Sequence, residues 1–245
     1  MLVIASQVSF AQPAERKVVN QSIEWFSITT NLKVSKSFTW MLEGQFRQAQ
    51  DFQPMQYQLR TGLDIAVSKH ISIMPLGYVY TWNYRYGKQP LAYGNNEHRI
   101  YQQVTYKHNI SRISISHRLR LEQRFIQVHT RDTENRLIDQ GYDQKLNRLR
   151  YRFMATVPIN HAKMEAKTYF ASAYDEAFLS WGKGITFHEP DQNRLFIGGG
   201  YQFNSAFTLQ GGFLYQMLIK ANGTAQENNV GAQVMFTYNI DLTKK

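Results

Sequence analysis

The stretch that decides the fold is RISISHRLRLEQRF, residues 112–125. Successive side chains of a β-strand point to opposite faces, so this run separates into two sets. One face carries Ile113, Ile115, His117, Leu119, Leu121, Gln123 and Phe125. The other carries Arg112, Ser114, Ser116, Arg118, Arg120, Glu122 and Arg124. Only the first face suits lipid, which predicts a strand in the wall of a transmembrane barrel with a polar interior.

The same alternation recurs from residue 20 to residue 241, without a stretch of period 3.6 long enough for a helix. It predicts strands over residues 20–34, 37–50, 55–68, 70–84, 96–108, 112–128, 144–158, 161–174, 192–203, 206–220 and 228–241. Tight turns at 35–36, 68–70, 109–111, 158–161 and 204–205 alternate with polar loops at 85–95, 129–143, 175–191 and 221–227. We expect an all-β fold, a transmembrane antiparallel β-barrel of about 12 strands with short periplasmic turns and longer extracellular loops.

The strand count raises a question of parity, because bacterial single-chain barrels normally have an even number of strands. If the tight turns are periplasmic, the last strand ends in the periplasm as it should, but the first of the strands above begins outside. Residues 12–20 then supply a further strand or thread the lumen, or the strands are miscounted.

Composition narrows the class of protein. The absence of cysteine excludes disulfide scaffolds, thiolate metal sites and cysteine nucleophiles. No window approaches the roughly 20 apolar residues of a membrane-spanning helix. The net charge of +10 would ordinarily indicate nucleic-acid binding, but the basic residues alternate with apolar ones inside strands. We therefore expect a basic interior and no nucleic-acid partner.

The N-terminal residues resemble part of a secretory signal peptide. Residues 1–11 are apolar and end in small residues, with a cleavage point expected after Ala11, although a basic n-region is missing. We expect 1–11 to be a signal-peptide remnant and 12–245 a single barrel domain in the outer membrane of a Gram-negative bacterium. The alternative is an ordinary N-terminal strand.

The interior is predicted to be a network of arginine and glutamate. Keeping the apolar faces of two strands together around residues 109–112 places Arg99 opposite Glu122 and Glu97 opposite Arg124, with Tyr101 opposite Arg120. A turn at 158–161 brings Arg152 near Glu165. The predicted lumen network is Glu43, Arg47, Arg60, Glu97, Arg99, Arg118, Arg120, Glu122, Arg124, Arg148, Arg150, Arg152, Glu165 and Arg194. Such a network is compatible with a sealed polar core and with the lining of a narrow channel that favours small anions.

Several strands carry a recognisable set of segments, namely the strand with Trp25 and residues 42–47, 59–63, 77–80, 97–103, 118–124, 148–152 and 191–194. With these segments, residues 20–240 resemble domain-of-unknown-function family 2490, a group of outer-membrane barrels. Ile100 and Tyr101 stand where the family often has a tryptophan. The resemblance implies a fold and a location, and it carries no catalytic residue.

Other functions find less support in the sequence. A lipid-modifying hydrolase of the outer membrane needs a serine beside a histidine, and the best histidine, His117, has Ile115 and Leu119 on its own face. The other histidines lack metal-ligand spacing, so no metal and no cofactor is expected. A soluble all-β binding protein is the third reading. We expect a monomer that contacts outer-membrane lipids and small anions.

Glycines cluster at Gly198, Gly199 and Gly200, and again at Gly211 and Gly212 on the next strand. Glycines permit strong curvature in barrel walls, which is the interpretation we favour over a partner site.

Overall fold

The computed structural model describes residues 16–88, 91–186 and 190–243, except for the side chains of residues 144 and 145. Eleven strands make up the fold of this part of the chain. They are β1 (Lys17–Lys33), β2 (Phe38–Ala49), β3 (Gln53–Ala66), β4 (Ile71–Asn83), β5 (Asn95–Ile110), β6 (Ile113–Arg131), β7 (Leu137–Pro158), β8 (Thr168–Gly182), β9 (Gln192–Gln202), β10 (Phe207–Ile219) and β11 (Ala225–Asp241). Within the described ranges, no helix has the length and hydropathy needed to cross a membrane.

The strands close into one barrel in which each pairs with the next in sequence and β11 returns to β1. Neighbours are antiparallel except at the closure, where β1 and β11 run parallel, from Lys17 opposite Ala225 to Lys33 opposite Asp241. This confirms the all-β barrel of about 12 strands. The parallel closure answers the question of parity, because an odd number of strands closes only if two neighbours run the same way. Residues 17–20 belong to β1, and residues 1–15 lie outside the described part of the chain.

The outer and inner faces follow the predicted alternation on most strands. Large apolar side chains such as Leu59, Leu119 and Ile197 are exposed on the outer wall, whereas Arg120, Glu97 and Glu122 are buried inside. This distribution, with hydrophobic side chains outside and charged side chains inside, is the reverse of the distribution in a soluble domain. Tyr101, which is fully buried, points into the barrel.

Two strand boundaries differ from the predicted ones. The sequence predicts a loop over 129–143, but β7 begins at Leu137, because the β6–β7 hairpin continues to the pair Arg131 and Leu137. The strand predicted over 161–174 is observed as β8, Thr168–Gly182. Its inner face also has the opposite parity, because Phe170, Tyr174 and Phe178 point inward and Ala171, Ala173 and Ala177 point outward. The aromatic face of β8 fills the lumen, and its alanine face lies on the outer wall.

The barrel has two ends, which we call upper and lower. At the upper end lie the connections 50–52, 84–94, 132–136, 183–191 and 220–224, and at the lower end lie 34–37, 67–70, 111–112, 159–167 and 203–206. At 50–52 three successive residues, Gln50, Asp51 and Phe52, have φ values of 48°, 61° and 65°. Positive φ is uncommon for residues other than glycine and marks this connection as a tight left-handed turn.

Candidate functional site

The buried arginine and glutamate side chains lie in the barrel lumen. Of the predicted network, every residue except Glu165 lies on the inner face, on strands β2, β3, β5, β6, β7 and β9. Glu165 lies in the lower connection 159–167, where it pairs with His161. The prediction that Arg152 meets Glu165 is therefore wrong. Arg152 stands opposite Glu176 in the β7–β8 register, because β8 starts seven residues later than predicted.

Two glutamates on neighbouring strands form the middle of the lumen. Glu97 accepts hydrogen bonds from Arg99 at 2.9 Å and from Arg124 at 2.7 Å. Glu122 accepts from Arg150 at 2.6 Å and lies 3.4 Å from Arg99. Both carboxylates are fully buried, so these arginines must offset the cost of removing them from water.

Glu176 is a third buried carboxylate, and the sequence reasoning missed it because residues 175–191 were assigned to a loop. It accepts from Arg118 at 2.5 Å and from Arg150 at 2.9 Å, and Arg194 lies 3.8 Å away. The available signal was the alternation of Tyr174, Glu176 and Phe178, whose aromatic face resembles a lipid-facing one. We call Glu97, Glu122 and Glu176, with their arginine partners, the central belt.

The predicted pairs on β5 and β6 occur, but in a different register. Arg99 faces Arg124 and Tyr101 faces Glu122, a shift of two residues from the predicted pairing. A shift of two preserves both faces, so the apolar pattern does not distinguish the two registers. The ion pairs Arg99 with Glu122 and Arg124 with Glu97 form as diagonal neighbours.

Aromatic rings lie between several of the arginines. The guanidinium of Arg47 is 4.3 Å from the Trp25 ring, and that of Arg194 lies 4.9 Å from Trp25 and 4.6 Å from Phe178. Arg120 lies 4.2 Å from the ring of Tyr101. These cation–π contacts hold the guanidinium groups in place without consuming their charge.

Three cavities follow one another along the barrel. The upper cavity has a volume of about 240 Å³, the middle cavity about 160 Å³ and the lower cavity about 370 Å³. Arg150 and Arg194 line both the upper and the middle cavity, and Arg118 and Arg152 line both the middle and the lower one. Arginine side chains therefore form the partitions, and a side chain changes rotamer far more easily than a strand moves.

Three arginines of the lumen have no carboxylate partner among the described residues. Arg47 donates to Gln45 and Gln56, and Arg148 donates only to the hydroxyl of Ser180. Arg152 makes no hydrogen bond within the described residues, and its guanidinium lies 5.7 Å from the Tyr174 ring. Arg47 and Arg148 line the upper cavity and Arg152 lines the lower one, so both cavities carry net positive charge.

The family of the chain is shown by comparison with known proteins. The model of a family described as a protein of unknown function, DUF2490, matches residues 24–228. The chain belongs to DUF2490. This confirms the resemblance drawn from the strands with Trp25, Glu43, Glu97 and Arg120. No curated protein matches this DUF2490 chain.

One solved structure is similar to this DUF2490 protein, the NanC porin in a rhombohedral crystal form. The two chains share 8% sequence identity with a TM-score of 0.46, and the match covers 85% of this chain and 93% of that chain.

Among the described residues of this DUF2490 chain, the polar partner of His117 on the outer wall is a tyrosine and not the serine that a lipid-modifying hydrolase would need. The Nδ1 of His117 lies 2.8 Å from the hydroxyl of Tyr151, and the residues paired with it across the two neighbouring strands are Tyr106 and Phe153. The described residues also contain no group of three or more His, Asp or Glu placed to hold a metal ion.

Proposed function

We propose that this protein is an integral outer-membrane β-barrel whose lumen is a narrow pathway that favours small anions. The position in a membrane is supported by the outer wall, where exposed side chains such as Leu42, Leu59, Ile100, Leu119 and Ile197 would otherwise contact water. An apolar band of this kind, around a closed barrel without free edges, is what a bilayer requires. It argues against a soluble binding protein.

Aromatic and histidine side chains mark two levels on that wall. Near the upper end, His98 contacts the hydroxyl of Tyr78 at 2.6 Å and packs against Tyr142 with ring centroids 4.3 Å apart. Near the lower end, His117 is stacked with Tyr106. His98 stands opposite Phe125, so the two levels are separated by the stretch 117–125 of β6. A tilted strand of that length rises roughly 20 Å, comparable to the apolar band of outer-membrane barrels.

The preference for anions is carried by one observation, the arginines without carboxylate partners on both sides of the central belt. The belt pairs its glutamates with arginines, whereas Arg47 and Arg148 in the upper cavity and Arg152 in the lower cavity form no ion pair among the described residues. Rings of arginine or lysine exclude cations and attract anions in narrow pores. The lumen thus contains two cationic sites for an anion, the upper and the lower cavity, which are separated by arginine side chains.

Reversal potentials in planar bilayers test this function. Under a KCl gradient, we expect the refolded wild-type barrel to conduct in discrete steps with a reversal potential that favours chloride. Arg152→Gln should move that potential toward zero, because it removes a cation without unbalancing an ion pair. The matched control is Arg131→Gln at the upper end of β6, which should leave the potential unchanged.

Two results would overturn the proposal. One is a barrel that migrates as folded in unheated gel samples and yet stays silent in the bilayer, which would indicate a sealed polar core. The other is cation selectivity in the wild-type protein.

A further inference from the structure

Two of the cations that line the upper cavity have no carboxylate within ion-pair distance among the described residues. Its charged lining residues are Arg47, Glu97, Arg99, Arg124, Arg148, Arg150, Arg194 and Lys220. Arg99 and Arg124 share Glu97, Arg150 and Arg194 lie next to Glu176, and Lys220 pairs with Glu227 at 2.6 Å. What remains is Arg47 and Arg148, on opposite sides of the lumen. An anion in this cavity would meet two cations without an ion pair among the described residues, although Glu122 stands opposite Arg148 in the β6–β7 register.

Arg148 is the better placed of the two cations. Its Nε donates to the hydroxyl of Ser180 at 3.0 Å, and its guanidinium lies 5.7 Å from the Phe178 ring. Neither terminal nitrogen has a hydrogen-bond partner in the described part of the chain, while the side chain lines the cavity. A guanidinium that is anchored through Nε presents its other donors in the fork geometry that binds a carboxylate.

The rest of the lining is neither charged nor uniformly polar. Met55, Leu91, Ile126 and Leu218 contribute apolar surface to the cavity. The amides of Gln56, Asn83, Asn95, Gln192 and Gln216 contribute hydrogen-bonding groups. A pathway for inorganic ions alone has no need of apolar groups at this position, whereas small-molecule sites combine apolar lining with a few placed polar groups.

The cavity also has a structured cover. Residues 86–88, in the connection after β4, fold inward, with the Tyr86 hydroxyl donating to Glu227 at 3.2 Å and the Lys88 amide to Gln21 at 3.3 Å. Gly87 lies between them with a φ of 71°, and a side chain there would collide with Gln21. The connection is therefore held against the β1–β11 wall and restricts the upper opening. At about 240 Å³ the space is smaller than the roughly 300–1,000 Å³ of pockets for drug-sized ligands.

We propose that the upper cavity is a binding site for a small organic carboxylate with a short apolar body. The carboxylate binds Arg148, Arg47 adds to the positive field, and the apolar body lies against the side of the cavity formed by Met55 and Leu218. This rests on the proposed function, because it names the class of anion for which the lumen is built.

Calorimetric titration of the refolded protein in detergent tests the site, with benzoate as the probe. Benzyl alcohol, which has the same ring without the charge, and inorganic phosphate, which has charge without an apolar body, are the comparison ligands. We expect saturable benzoate binding and at least roughly 10-fold weaker binding of both comparison ligands. Phosphate binding as tight as benzoate would show a general anion site and overturn the proposal.

Substitutions assign the two parts of the site. Arg148→Gln should weaken benzoate binding roughly 10- to 100-fold. Arg152→Gln is the matched control, because it lies on the same face of β7, also lacks a carboxylate partner and lines only the middle and lower cavities. It should leave benzoate affinity within about 2-fold. Equal losses in the two variants would contradict a localised site.

The apolar part is tested by Leu218→Asn, which keeps a side chain branched at Cγ and makes it polar. Benzoate should bind roughly 3- to 10-fold more weakly to this variant, while acetate binding stays the same. Folding of each variant is checked by its migration in unheated gel samples. The reversal potential measured in KCl separates the two proposals: benzoate binding without conductance overturns the channel alone, and chloride selectivity without benzoate binding overturns the site alone.

Discussion

The wall formed by β5–β8 and the wall formed by β9–β11 fill the same lumen by different means. On the first, buried arginines and glutamates such as Arg99, Glu122 and Glu176 pair across strands. On the second, Gly198 and Gly200 have no space for a side chain, because the rings of Phe196 and Phe170 lie against them. Long charged side chains can occupy the lumen only where they find partners, and the glycine wall accommodates the aromatic rings of its neighbours. The comparison shows that the lumen is asymmetric about its axis.

The largest effect on stability is expected from substituting Glu176 in the wall formed by β5–β8. Glu176→Gln leaves Arg118, Arg150 and Arg194 without their shared carboxylate, and removing one partner of a buried ion pair typically costs about 3–5 kcal/mol. The free energy of unfolding, measured by urea titration in detergent or lipid vesicles, should fall by that amount. Glu165→Gln is the control and should change it by less than about 0.5 kcal/mol, because its side chain is 60% exposed. A loss in Glu176→Gln as small as that expected for Glu165→Gln would mean that the central belt contributes no stability.

A smaller effect is expected on the glycine wall. A Cβ at position 212 would lie 2.4 Å from the carbonyl oxygen of Ile197 and 2.5 Å from the Cα of Gly198, so Gly212→Ala requires the backbone to move. Overpacking of this kind costs about 1–3 kcal/mol, and the same urea titration measures it. At the neighbouring, outward-facing Gly211 the nearest atom is 3.7 Å away. Gly211→Ala should therefore be neutral, and a destabilised Gly211→Ala would assign the strain to the whole strand.

The smallest effect is expected for an ion pair of the same kind that is exposed to water. At the tip of the β6–β7 hairpin, hydrogen bonds from the Arg136 side chain and backbone hold the pKa of Asp132 below its usual value. A depressed carboxylate pKa adds stability that is present above about pH 4 and is lost as the pH falls through the folded-state pKa. In an NMR titration of the Asp132 carboxyl carbon, Arg136→Gln should raise the midpoint.

The control for that titration is Arg131→Gln. Arg131 bonds to Asn135 and not to Asp132, so the midpoint should stay where it is in the wild-type protein. A midpoint that rises equally in both variants would attribute the pKa shift to the general positive field of the hairpin.

Alternation predicted most of the barrel from the sequence, because a strand between lipid and a charged lumen must place its two kinds of residue on opposite faces. The pattern leaves register undetermined by multiples of two, which is why Arg99 and Glu122 were predicted to be directly opposite and are found as diagonal neighbours. The prediction for β8 was wrong for another reason. Its lumen-facing side is aromatic, so an apolar face did not identify the outer side of the barrel.

The candidate site was predictable in composition and not in arrangement. Arg148 and Arg152 were assigned to the lumen from their alternation alone. Which of the arginines lacks a carboxylate depends on Glu176, and the position of Glu176 depends on where β8 begins. The cover over the upper cavity depends on Tyr86, whose contact with Glu227 joins residues 141 positions apart. Local patterns carry no information at that range.

The parallel seam between β1 and β11 bears on the order in which the barrel is built. Every other neighbouring pair of strands is consecutive in the chain, so the sheet can grow one hairpin at a time. The seam joins residues such as Lys33 and Asp241, which are 208 positions apart, so no hairpin turn connects the two strands. At this junction a Cβ on Gly231 would lie only 1.7 Å from the carbonyl oxygen of Ile23, so the last strand must approach very closely. Until β11 is synthesised and pairs with β1, the sheet keeps two open edges, so closure of the barrel depends on this last strand.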